Sequence, residues 1–130
     1  MISWFEKHNK ISWIITILIA MVIFYLSSLS FKSAPLGGFG YKTIIYHFYA
    51  FFFFSLFLFI SLIKGKKKNL IFISIILAIF YAISDEIHQL FVLGRSCAIS
   101  DILIDSIGVF LAGYLYLSFL LGKKGYILKM

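Results

Sequence analysis

The chain has 130 residues, of which 62% are hydrophobic and 13% charged, with a mean hydropathy of +1.04 and a net charge of +7. A soluble globular domain carries about 25% charge, so this composition excludes one and describes a single membrane domain over residues 1–130. The positive charge excludes nucleic acid as the expected partner, because it is distributed as a topology signal rather than as a binding face.

Four apolar stretches are long enough to cross roughly 30 Å of hydrocarbon at about 1.5 Å per residue. They run about 11–31, 43–63, 70–93 and 99–121. The first could imitate a secretory signal, since Lys7 and Lys10 precede its apolar run and Ser28 and Ser30 follow it. Its length, and the further span after it, make it the first membrane helix instead. The second contains Phe51-Phe52-Phe53-Phe54, which lacks the alternation of a barrel strand. Backbone in lipid must be helical or a closed barrel. The predicted fold is therefore an all-α, four-helix integral membrane bundle.

Lysine and arginine positions orient it. Lys7, Lys10, Lys64, Lys66, Lys67, Lys68, Lys123, Lys124 and Lys129 fall on one side, and Lys32, Lys42 and Arg95 on the other. The positive-inside rule then puts both termini in the cytoplasm. Lys64–Lys68 reads as a topology anchor with some attraction for anionic headgroups. The lone Cys97 falls in an outer loop and can form no intramolecular disulfide.

With this orientation the unusual polar residues share one depth. Of five acidic residues, Asp85, Glu86, Asp101 and Asp105 lie within the third and fourth spans, and only Glu6 lies elsewhere. A carboxylate at the centre of a bilayer costs about 2.5–3.5 kcal/mol on insertion scales, so such groups pair or line a polar cavity. His47 lies one turn into the second span, and Asp85, Glu86, His88 and Gln89 occupy the outer half of the third. Arg95 is in the outer loop, and Asp101 and Asp105 sit one turn apart on one face of the fourth. Gly108 and Ala112 continue that face with small residues, which allow close helix contact.

Singly, His47 reads as a core or interfacial histidine, Arg95 as a headgroup anchor and Asp105 as an interhelical hydrogen bond. Together they read as one ligand-binding pocket open to the outer leaflet: His47, Asp85, Glu86, His88, Gln89, Arg95, Asp101 and Asp105. Arg95 cannot neutralise four carboxylates, so at least one is expected to carry a proton, with Asp105 the choice. No metal or cofactor is expected, because no His-Glu-x-x-His or comparable spacing is present. The Phe and Tyr content reads as lipid-facing bulk and interfacial belts.

The run Ser84-Asp85-Glu86-Ile87-His88-Gln89-Leu90-Phe91, followed by Gly94-Arg95, Asp101 and Gly108, resembles the signature of the VanZ-like family. That signature is a Glu-x-His-Gln-x-Phe run, a Gly-Arg and an Asp opening the next helix. The resemblance reaches upstream to His47 and to Phe24–Ser30, where the family often has an aromatic residue followed by serines. Two departures stand out. Asp105 stands where the family commonly has Asn, and Ile44 where it often has a basic residue, with Lys42 nearby. The family is named for a protein of glycopeptide-resistance clusters associated with teicoplanin resistance. The resemblance implies a multi-pass protein of the bacterial plasma membrane; family membership alone does not fix its function.

Two functions compete. One is a non-enzymatic cell-envelope protein binding a lipid headgroup, a lipid-linked cell-wall precursor or a lipophilic glycopeptide, with Arg95 on a phosphate or carboxylate. The other is a small intramembrane enzyme acting on a lipid-linked substrate, with His47, Glu86, His88 and Asp101 as catalytic candidates. A carrier is disfavoured because the inner halves of the spans offer no polar relay, although a homo-oligomer could supply a path. The topology is checked by thiol labelling of intact cells. In a Cys97→Ser background, the thiol of Lys66→Cys should stay unlabelled by an impermeant maleimide until the membrane is opened, and labelling from outside would invert the orientation.

Overall fold

Helices account for the architecture of this computed structural model, which describes residues 1–30, 41–67 and 69–127. Phe31, Lys32, Lys68 and Lys129, used above to place the first span and the charges, lie outside the described residues. A short helix α1 (Ile2–Lys7) breaks at His8 and leads into α2 (Asn9–Ser27). Helices α3 (Tyr41–Ile63), α4 (Leu70–Gln89) and α5 (Ile99–Ile127) follow. Four of them, α2, α3, α4 and α5, are long and apolar enough to cross a membrane.

The helix limits differ from the hydropathy reading by four residues or more at three ends, and the last helix continues to Ile127 rather than ending near 121. The first ends at Ser27 rather than near residue 31, and the third at Gln89 rather than near 93. Leu90, Phe91 and Leu93 are apolar, so hydropathy extends the helix through them. The chain instead turns there, leaving the three well exposed and placing Gly94 at φ +82°. A left-handed residue is where helices commonly end, and glycine enters that region without a Cβ penalty.

Helix α3 is the central element, packing on α1, α2, α4 and α5 and most extensively on α5. The core it organises is aromatic and small by turns. Phe51, Phe54 and Phe59 of α3 pack with Ala78 and Ala82 of α4 and with Val109, Ala112 and Tyr116 of α5. Large apolar side chains such as Ile14, Val22, Phe72, Phe80, Phe110 and Tyr114 are more than half exposed. An outer surface of that kind matches hydrocarbon, not water.

At one end of the bundle, α1, the α3–α4 turn and α5 are tied together. Glu6 accepts hydrogen bonds from the Tyr116 hydroxyl (2.9 Å) and the Lys123 ammonium (3.0 Å). The Tyr116 oxygen in turn accepts from the Gly65 N–H at 3.2 Å. A Cβ at Gly65, which has φ +67°, would meet Glu6 Oε2 at 2.7 Å.

Towards the other end, α3 and α5 touch backbone to backbone. A Cβ on Gly108 would lie 2.6 Å from the Phe48 carbonyl oxygen and 3.1 Å from the Phe52 nitrogen. Gly108→Ala therefore forces the two helices apart, and overpacking of this kind costs about 1–3 kcal/mol. Helix propensity returns only about 1 kcal/mol. Gly122, with nothing within 4 Å, supplies the contrast. Thermal unfolding in detergent should show a clear fall in Tm for Gly108→Ala, and no fall for Gly122→Ala.

Candidate functional site

The close approach at Gly108 brings the polar faces of α3 and α5 together one turn further along. His47, on α3 beside Phe48, is 1% exposed, and Asp105, three residues before Gly108, is fully buried. Their side chains meet at 3.0 Å, His47 Nδ1 to Asp105 Oδ1. The opposite ring nitrogen, Nε2, faces Asp101 Oδ2 at 3.7 Å. The imidazole thus lies between two carboxyls one helical turn apart, which is what an i, i+4 acidic pair on α5 can offer a single ring.

Helix α4 supplies the third side. Glu86 is fully buried and Asp85 and Gln89 nearly so. Glu86 Oε2 accepts the Ala98 N–H at 3.0 Å, and its Oε1 accepts from Gln89 Nε2 at 3.1 Å. The same Gln89 nitrogen donates to Asp85 Oδ2 at 3.1 Å. Ala98 opens α5, its carbonyl accepting from Asp101 N and Ile102 N. Glu86 therefore fastens the start of α5 to α4. One ligand atom from each of His47, Glu86 and Asp105 lies within 4.8 Å of the other two.

Arg95 is placed at the edge of this set. Its Nη2 donates to the Leu26 carbonyl at 2.7 Å and its Nε to the Leu29 carbonyl at 3.2 Å. Its Nη1 reaches Gln89 Oε1 at 3.4 Å. Carbonyls at a helix C-terminus lack intrahelical partners and carry partial negative charge. The guanidinium meets both needs for α2 and joins it to the loop after α4.

His88 goes elsewhere. Its Nε2 lies 3.0 Å from Ser28 Oγ, and its ring stacks on Phe24 at 4.5 Å. The structure thus brings together His47, Asp85, Glu86, Gln89, Asp101 and Asp105, with Arg95 at the rim, and points His88 to the end of α2. Helical geometry explains the division, since Glu86 and His88 are two apart and neighbours at that spacing do not face the same way.

Several polar atoms in this region make no hydrogen bond among the described residues: Asp105 Oδ2, Asp85 Oδ1 and the Tyr46 hydroxyl, all buried. Tyr46 is not singled out by the sequence, where the Phe and Tyr content has only a general reading as lipid-facing bulk and interfacial belts. Its position next to His47 gives no signal, because adjacent helical residues point about 100° apart. Its hydroxyl is within electrostatic reach of Asp85, Arg95 and Asp105. Tyr46 also lines an apolar groove of about 510 Å³ between α2 and α3, with Leu18, Val22, Ile23, Tyr49 and Phe53.

Cys97 lies in the loop outside the spans. Desolvation, with the nearby Glu86 and Asp101 carboxylates, pushes its thiol up from the ordinary value. The thiolate is the reactive form, so Cys97 stays protonated at neutral pH and makes a poor nucleophile. Maleimide labelling of purified protein should be slower than that of a free thiol at pH 7 and should still be rising above pH 9. Fast labelling at pH 7 would contradict this environment.

A family model described as VanZ/LLP1 matches residues 10–121 of the chain, a stretch that includes every residue of the cluster. No curated protein and no solved structure matches it.

Proposed function

Because the chain belongs to the VanZ/LLP1 family and has four helices fit to cross a membrane, we propose that it is a multi-pass cell-envelope protein that binds a membrane-resident amphiphile. The polar head enters the acidic cluster, and the apolar chain lies in the α2–α3 groove. The observation that carries the reading is the position of Tyr46. It lines the groove, and its buried hydroxyl, which makes no hydrogen bond among the described residues, is within electrostatic reach of Asp85, Arg95 and Asp105. An apolar groove that shares Tyr46 with the neighbourhood of the acidic cluster suits a ligand with an apolar chain and a polar head.

The head is expected to bring positive charge or hydrogen-bond donors. Within the cluster, among the described residues, Asp85, Glu86, Asp101 and Asp105 outnumber the cationic groups His47 and Arg95, and uncompensated charge in an apolar bundle is costly. An amine-bearing headgroup fits that balance, whether of a phospholipid, a lipid-linked cell-wall precursor or a lipophilic glycopeptide. Arg95, with its donors on the Leu26 and Leu29 carbonyls, orders the site rather than gripping an anion. On this reading the cluster faces outward from the bacterial plasma membrane, and a role in teicoplanin resistance rests on the family's name alone.

The second reading is an intramembrane enzyme. His47 beside Asp105 at 3.0 Å has the form of a base oriented by a carboxylate. The neighbouring serine Ser84 is bonded to its own helix at the Phe80 carbonyl, so no nucleophile is supplied from there.

Native mass spectrometry in mild detergent tests the first reading. A co-purified amphiphile should be present on the wild type. It should fall at least about tenfold, equivalent to roughly 1.4 kcal/mol, in Val22→Trp, which fills the groove from its exposed side. An amphiphile absent from the wild type, or equally abundant in Val22→Trp, would sink the reading. Turnover of a lipid substrate would favour the enzyme.

A further inference from the structure

We propose that His47, Glu86 and Asp105 bind one divalent cation of the transition series, with Zn²⁺ as the representative. The inference shares the acidic cluster with the amphiphile reading but does not rest on it, because metal retention is read with no amphiphile added.

Geometry is the first support. The three side chains come from α3, α4 and α5, all are buried, and their ligand atoms lie within 4.8 Å of one another. That limit is close to twice a metal–ligand bond of roughly 2.0–2.4 Å. The 3.0 Å between His47 Nδ1 and Asp105 Oδ1 is near the spacing of about 3.3 Å that two ligands adopt in a tetrahedral site with bonds of about 2.05 Å. With Nδ1 on the cation, Nε2–H faces Asp101 Oδ2 at 3.7 Å. A carboxylate behind a ligating histidine is the usual support for such a ligand. Glu86 is likewise held from behind by the Ala98 N–H.

The second support is independent of the spacing. Asp105 is fully buried, yet among the described residues its Oδ2 has no hydrogen-bond partner, and neither has Asp85 Oδ1 on the adjoining helix. A buried carboxylate oxygen without a donor has lost its hydration with nothing in return. A bound cation supplies what these oxygens lack. It also adds positive charge to the cluster, in which, among the described residues, four carboxyls stand against His47 and Arg95. A proton on Asp105 is the competing way to reduce the negative charge.

The donor set selects the class. Imidazole suits Zn²⁺ and its neighbours, while carboxylates alone would suit Mg²⁺ or Ca²⁺. Sequence spacing gives no metal signature because each ligand comes from a different helix.

The test uses the full-length protein in mild detergent, stripped with chelator, reloaded with Zn²⁺ alone and desalted. Elemental analysis should find one zinc per chain, unaffected by millimolar Mg²⁺. Asp105→Asn and Glu86→Gln should each weaken retention at least about tenfold. His8→Ala, whose ring lies at the opposite end stacked on Trp4, should leave it unchanged. X-ray absorption at the zinc edge of the wild type needs no variant. It should show a single imidazole, oxygen neighbours at about 2.0–2.1 Å and no sulfur. No retained zinc, loss of zinc with His8→Ala, displacement by Mg²⁺, or a sulfur or two imidazoles at the edge would each overturn the proposal. Zinc with no bound amphiphile, or the reverse, separates its fate from that of the amphiphile reading.

Discussion

A carboxyl group in an apolar bundle must find donors or countercharge, and four of them set the arrangement of this fold. The requirement cannot be met within one helix. Asp105 on α5 turns to His47 on α3, and Glu86 on α4 turns to the N–H of Ala98 at the start of α5. Each contact fixes one pair of helices. Lipid tails give little hydrophobic drive for helix association, so packing and interhelical polar contacts carry it instead. The polar end is therefore part of what holds the bundle in register as well as its candidate site.

Gly108 is the steric counterpart of that electrostatic demand. The short reach of an Asp side chain to an imidazole requires α3 and α5 to run close, and the Phe48 carbonyl occupies the space a Cβ would fill. A helix glycine is unfavourable by propensity. It is retained here where the backbone of a neighbouring helix needs its room. Arg95 extends the same logic to α2, whose terminal carbonyls it caps while touching Gln89.

The two ends of the bundle solve different problems. At the Glu6 end a single carboxylate has two donors, Tyr116 and Lys123, and the lysine is partly exposed. That is a closed structural clasp, and it ties the first helix to the last. At the other end, among the described residues, the buried Asp85 Oδ1 and Asp105 Oδ2 make no hydrogen bond. Residual polarity of that kind marks a place for a ligand more than a place for packing.

The sequence by itself determined the helical class, the number of spans and the common depth of the polar residues. Those depend on composition and on position along the chain, and both can be read directly. It also marked the acidic face of α5, because the period of a helix puts Asp101 and Asp105 together. It extended two spans too far, because Leu90–Leu93 are apolar and hydropathy does not register where a chain turns. Only the tertiary structure decided which neighbours each polar group meets. His88 and Glu86 are two residues apart, yet one turns to Ser28 and the other into the cluster. Arg95, read as a ligand-gripping group, reaches the carbonyls of α2. Tyr46, which no sequence pattern singled out, lines the groove and lies within electrostatic reach of Asp85 and Asp105. Such choices depend on the rotation of each helix against the others, which is set by packing around Gly108 and the aromatic core, and a hydropathy pattern carries no measure of it.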